Sequence, residues 1–142
     1  MTTATGVQTD AIARGVVLER GDGLLVLAVA GTEYRMHLVA TTPADGMVTP
    51  VGKRIKGIIE AEALRMHTAQ AGGRFVEPMW GAPRIVQGTV LAVDEQAPRV
   101  LLDVSVPMWV TVDDRQSASD FQPGQMVNCY VRSGATFTPI EK

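Results

Sequence analysis

Two glycine-anchored patterns recur in this chain at a nearly constant separation, and that recurrence limits the fold more than any other feature. Arg14-Gly15-Val16-Val17-Leu18 matches Gln87-Gly88-Thr89-Val90-Leu91, with the glycines 73 residues apart. Val51-Gly52-Lys53-Arg54-Ile55-Lys56-Gly57-Ile58-Ile59 matches Pro123-Gly124-Gln125-Met126-Val127-Asn128-Cys129-Tyr130-Val131 at a separation of 72. Phe75-Val76-Glu77-Pro78 and Phe137-Thr138-Pro139 are then expected to close each copy in the same way. The pattern predicts one β-rich unit of about half the chain, written twice.

Each copy reads as five short strands, because apolar residues alternate with polar ones between turn residues. In the first copy they fall at roughly 12–19, 24–30, 33–39, 53–65 and 74–78, and in the second at roughly 85–94, 99–105, 108–113, 126–133 and 135–140. Arg20-Gly21-Asp22-Gly23 suits a tight hairpin, since Asp and Gly tolerate positive φ. The linker Thr41-Thr42-Pro43-Ala44-Asp45-Gly46 interrupts pairing, because proline lacks the N–H a ladder needs. Residues 58–70, IIEAEALRMHTAQ, carry strong helix formers ahead of Gly72-Gly73, and propensity alone makes them a helix. The duplicate argues the other way: Ile55, Gly57 and Ile59 align with Val127, Cys129 and Val131, and period two continues through Ala61 and Ala63. A strand to about Arg65 and a turn at 67–73 is the expectation.

Five strands with a long link between the third and fourth is the order of the oligonucleotide/oligosaccharide-binding (OB) barrel. The stretches Gly88–Val104 and Pro123–Gly134 resemble that superfold in pattern, and are similar to the tandem barrel modules appended to molybdate transporters. The resemblance implies an all-β chain of two packed OB-like five-stranded barrels: a disordered tail at 1–11, a first barrel at 12–80, a linker at 81–84 and a second barrel at 85–142. It also implies binding rather than catalysis: a binding or assembly module, with single-stranded nucleic acid or a small oxyanion as alternative ligands. Barrels this small have thin cores, so they are expected to pack on each other or to oligomerise.

Charge narrows the partners. The net charge is −2, but residues 1–84 hold 9 basic and 8 acidic residues, against 4 and 7 in residues 85–142. A nucleic-acid binder displays a concentrated basic face; only the first half holds such a cluster, Lys53, Arg54 and Lys56. No apolar run approaches the roughly 18 residues of a membrane span, and the N-terminus lacks the features of a secretory signal, so a cytoplasmic protein without a membrane partner is expected.

No constellation for catalysis stands out. The two histidines, His37 and His67, lack further ligands at metal-binding spacing. Cys129 aligns with Gly57, a small inward position that suits an inert buried thiol. Neither a catalytic residue nor a metal or cofactor site is expected. Candidate ligand-binding residues are Tyr34, Arg35 and His37 on the third strand, Lys53, Arg54 and Lys56 opening the fourth, and Trp109 in the second copy. An aromatic ring beside cations can stack a base while the cations hold phosphates, although aromatics make up only 5% of the chain. Phe75, Met79 and Trp80 make up the most apolar irregular segment and are expected at an interface between the barrels or between subunits.

Overall fold

The computed structural model describes residues 11–42 and 48–140. The expected N-terminal tail, apart from Ala11, and positions 43–46 of the first linker lie outside the described residues. Among the described residues there is no α-helix, and none that is long and apolar enough to cross a membrane. The protein is all-β, with a mixed sheet of eleven strands among the described residues. They are β1 (Ala13–Gly21), β2 (Leu24–Val29), β3 (Arg35–Ala40), β4 (Arg54–Thr68), β5 (Phe75–Glu77), β6 (Trp80–Gly81), β7 (Ile85–Asp94), β8 (Arg99–Asp103), β9 (Pro107–Thr111), β10 (Met126–Val131) and β11 (Thr136–Pro139).

Local chemistry explains the hairpins. Asp22 and Gly23, with φ of 50° and 80°, form the two-residue loop between β1 and β2 that lets Gly21 face Leu24. Between β7 and β8, the Asp94 carboxylate instead accepts the backbone N–H groups of Gln96 and Ala97, closing an Asx turn.

The two halves share their registers. Gly15 stands opposite Ile55 across β1–β4, and Gly88 stands opposite Val127 across β7–β10. Leu18 and Leu91 occupy the same kind of β-bulge, at the step Val17/Glu19 and the step Val90/Ala92. A Cβ on Gly15 would run into the Ala28 carbonyl oxygen, and one on Gly88 into that of Asp103. Both glycines are therefore required by the close approach of the neighbouring strand.

Strand β4 resolves the contested stretch in favour of a strand. Its inward side chains alternate through Ile55, Gly57, Ile59, Ala61 and Ala63. A bulge at Leu64 then shifts the phase, so that Met66 is the next buried residue. The Gln116 side chain takes the place of a strand at this point: Met66 N–H donates to Oε1 and Nε2 donates to the Met66 carbonyl, at 2.9 and 2.6 Å.

The closing strands differ from expectation. Pairings run from β1 to β2, β3, β11, β4 and back to β1. A second circuit runs from β7 to β8, β9, β4, β10 and back to β7. The end of β4 completes the circuit of the C-terminal half, and β11 completes that of the N-terminal half. Phe75–Glu77 and Phe137–Pro139 thus do not close their halves alike: β5 pairs only with β7, whereas β11 pairs with β3 and β4. Sequence periodicity could not show this, because alternation fixes which face a side chain takes and not which strand lies beside it.

One core spans both circuits. Leu25, Leu27, Met36, Leu38 and Ile59 from the first half pack in the same cluster as Leu102, Met108, Val127, Cys129 and Phe137. Phe137 lies against Gly57, where any side chain would strike its ring.

Candidate anion-binding face

The outer face of β1 and β4 carries the positive charge. Alternation turns Ala13, Gly15 and Val17 inward, leaving Arg14 and Val16 on the outside. The same period on β4 puts Arg54 and Lys56 outside, while Ile55 and Gly57 point in. The antiparallel register sets Arg14 opposite Lys56 and Val16 opposite Arg54. With Ala30, Val48, Thr49 and Ile140, these residues line a surface pocket of about 710 Å³. Among the described residues no acidic one lines it. None of the ion pairs among the described residues involves Arg14, Arg54 or Lys56.

Like charges directly opposite each other across a β-pair are destabilising. A facing Arg14–Lys56 pair is therefore a cost to the fold unless a counter-charge lies beside it. Lys56 is half-buried, and its backbone carbonyl accepts the Ile140 N–H. Arg14 and Arg54 are exposed.

The other sequence candidates are dispersed. Lys53 is exposed at the turn before β4, where its carbonyl accepts Val17 N–H, and it does not line the pocket. Arg35 and His37 point outward from β3, and neither lines the pocket. The Tyr34 hydroxyl donates to the Val104 carbonyl and accepts the Val76 N–H, which ties the phenol to the other half of the protein. Trp109 is only 7% exposed, packs with Ala11 and Leu101, and has the Arg99 guanidinium 3.9 Å from its ring centre. Arg99 is itself paired with Glu60 and Asp94.

Of the apolar segment, Phe75 is half-buried, Met79 is 47% exposed and Trp80 is 60% exposed. Trp80 donates its indole N–H to the Glu33 carbonyl, and Arg35 lies over its ring at 4.6 Å. The neighbour Val76, at 1% exposed, is the member of that segment that enters the core.

No protein-family model and no curated protein matches the chain.

Among the described residues no cluster of three or more His, Cys, Asp or Glu side chains is placed to hold a metal ion. Burial pushes the Cys129 thiol up to about 12, which keeps it protonated and unreactive near neutral pH. Arg115, by hydrogen bonding to Asp113, holds that carboxyl below the usual range, in an exposed loop. Neither arrangement pairs a nucleophile with a base.

Arg14 is the residue that sequence reading missed. It stands forty residues from the Lys53/Arg54/Lys56 cluster, and only the strand register joins them. Once the register sets Gly15 opposite Ile55, Arg14 must face Lys56, but the repeat anchors alone do not give that register.

Proposed function

We propose that this protein is a non-catalytic binding module, made of two duplicated OB-like barrels, that holds an anionic ligand over the β1–β4 face. The observation that carries the reading is the trio Arg14, Arg54 and Lys56 around one pocket, with neither an ion pair nor an acidic lining residue among the described residues. The two closed strand circuits, the shared registers and the paired bulges support the barrel and duplication parts of the reading. The face differs from the surface of strands two and three that OB barrels use.

Single-stranded nucleic acid draws less support. Stacking on aromatic rings is a main source of affinity for such ligands, and no aromatic residue lines the pocket. Tyr34 and Trp109 are engaged elsewhere.

Thermal unfolding at low ionic strength with tripolyphosphate, against chloride at matched ionic strength, tests the reading. The midpoint should rise with tripolyphosphate, since a ligand that binds only the folded state stabilises it. An unchanged midpoint contradicts an anionic site.

A further inference from the structure

One segment crosses the sheet without burying any side chain of its own. Residues 69–74 join β4 to β5 and lie over β10 and β7. Ala69 N–H donates to the Met126 carbonyl at 2.8 Å, and the Gln87 side-chain amide donates to the carbonyls of Gly73 and Ala71 at 2.8 and 3.4 Å. Arg74 adds an exposed ion pair with Asp103. None of residues 69–74 is buried. The flanks are held differently: Met66 and Val76, each 1% exposed, enter the core on either side of the segment. Gly72, with φ of 98°, approaches the Gln87 amide so closely that a Cβ there would strike it.

The floor beneath it is polar. The register sets His67, Asn128, Gln87 and Phe75 side by side across β4, β10, β7 and β5. Asn128 donates to the Gln87 side-chain carbonyl at 3.0 Å, and the covering segment leaves Gln87 only 6% exposed. Gln87 and Asn128 take the positions that Arg14 and Lys56 hold in the N-terminal half, and Met126 takes that of Arg54. We infer that residues 69–74 are a gate, which lifts from β7 and β10 while both halves stay folded and bares this row of an imidazole, two amides and a ring. The inference lies outside the anionic-ligand reading and uses none of its residues. Lifting breaks three hydrogen bonds and an exposed ion pair, all of which water can replace. It withdraws no apolar side chain of the segment from the core, and the Gln87–Asn128 bond persists without it. Segments with few buried apolar contacts open at a fraction of the global unfolding free energy. When closed, the segment withholds both amides from any outside partner.

Hydrogen exchange read by NMR across sub-denaturing urea tests this. The Ala69 N–H and the Gln87 side-chain amide report on the gate. The N–H of Leu27, fully buried in β2 between β1 and β3, reports on the fold. Both gate probes should be protected about a hundredfold less than Leu27 or weaker still, and their protection should not change with urea, because lifting exposes little surface. Phe137→Ala should speed exchange at Leu27 by about a hundredfold or more and leave both gate probes unchanged. Gly72→Ala should speed exchange at both gate probes by about tenfold, since its Cβ meets the Gln87 amide at a strained φ. If the gate probes exchange no faster than Leu27 and share its urea dependence, the segment leaves only on global unfolding and the inference fails. If Ala69 exchanges fast while the Gln87 amide stays as protected as Leu27, one end frays without lifting, and the inference fails as well. Should Phe137→Ala not fold, the urea dependence in the wild type decides alone.

Discussion

The outer faces of β1–β4 and β7–β10 share one backbone plan and carry opposite solutions to it. On the C-terminal face, two neutral amides bond to each other and to a segment of the protein's own backbone. On the N-terminal face, two cations oppose each other, with a third beside them. Closing a face with amides and backbone satisfies its polar groups internally, which favours folding. Leaving three cations around a pocket does not favour folding, and the proposed anionic ligand would offset that cost. Equivalent positions in two halves of one protein thus separate what the scaffold needs from what it presents.

The core allows the comparison to be broken most severely. Phe137 is fully buried and belongs to the strand that completes the N-terminal circuit from the C-terminal half. Phe137→Ala should cost about 3–5 kcal/mol. Because a single core joins the halves, the loss should lower one cooperative urea transition seen alike by tryptophan fluorescence and circular dichroism. Two separated transitions would show that the halves unfold independently.

A matched pair of substitutions sharpens the contrast between the faces. Gln87→Ala removes the hydrogen bonds to the Gly73 and Ala71 carbonyls and leaves Asn128 without its partner, and should destabilise by about 0.5–1.5 kcal/mol. Arg14→Ala, at the corresponding position, should be neutral or slightly stabilising when no anion is present. Equal losses in urea denaturation would erase the distinction between a closed face and an open one.

A separate effect appears in alkali. Folding raises the Cys129 thiol to about 12 from an ordinary value of 9.0. The native state therefore holds its proton longer than the unfolded state. This stabilising contribution is complete below pH 9, and should decline as the pH rises from 9 toward about 12. Cys129→Ala should lack that component of the alkaline decline, as read from urea midpoints across the range. Identical slopes for the two proteins would mean that the thiol is not as dry as its burial indicates.

How far the sequence revealed these features depended on the range of each interaction. The all-β class and the tight turn at Asp22-Gly23 follow from local alternation and turn chemistry, whereas Gly15 and Gly88 stood out only as anchors of the repeat, because the strands that crowd them are distant in the chain. The strand to about Arg65 came from comparing the two copies, against the helix propensity of Glu60–Arg65, because packing between strands overrides propensity; the structure carries it on to Thr68, where a turn from 67 was expected. The exchange of closing strands stayed hidden, since Ala63 and Phe137 follow the same alternation whichever strand pairs with them. Part of the candidate face, Arg54 and Lys56, was visible as a charge cluster. Arg14 was not, because the cluster was sought along the chain rather than across the ladder. Trp109 and Tyr34 drew attention as strand aromatics, but their rings and hydroxyl are occupied by Arg99, Val104 and Val76.

The most direct test is the unfolding free energy of R14Q/R54M/K56N, which gives the N-terminal face the residues of its counterpart, measured beside the wild type at low and high salt and with tripolyphosphate. The variant should be more stable than the wild type by about 0.5 kcal/mol at low salt, with the gap closing as salt screens the cations, and it should gain nothing from tripolyphosphate. A variant that is less stable at low salt, or one that tripolyphosphate stabilises as much as the wild type, would contradict the assignment of this face to an anion.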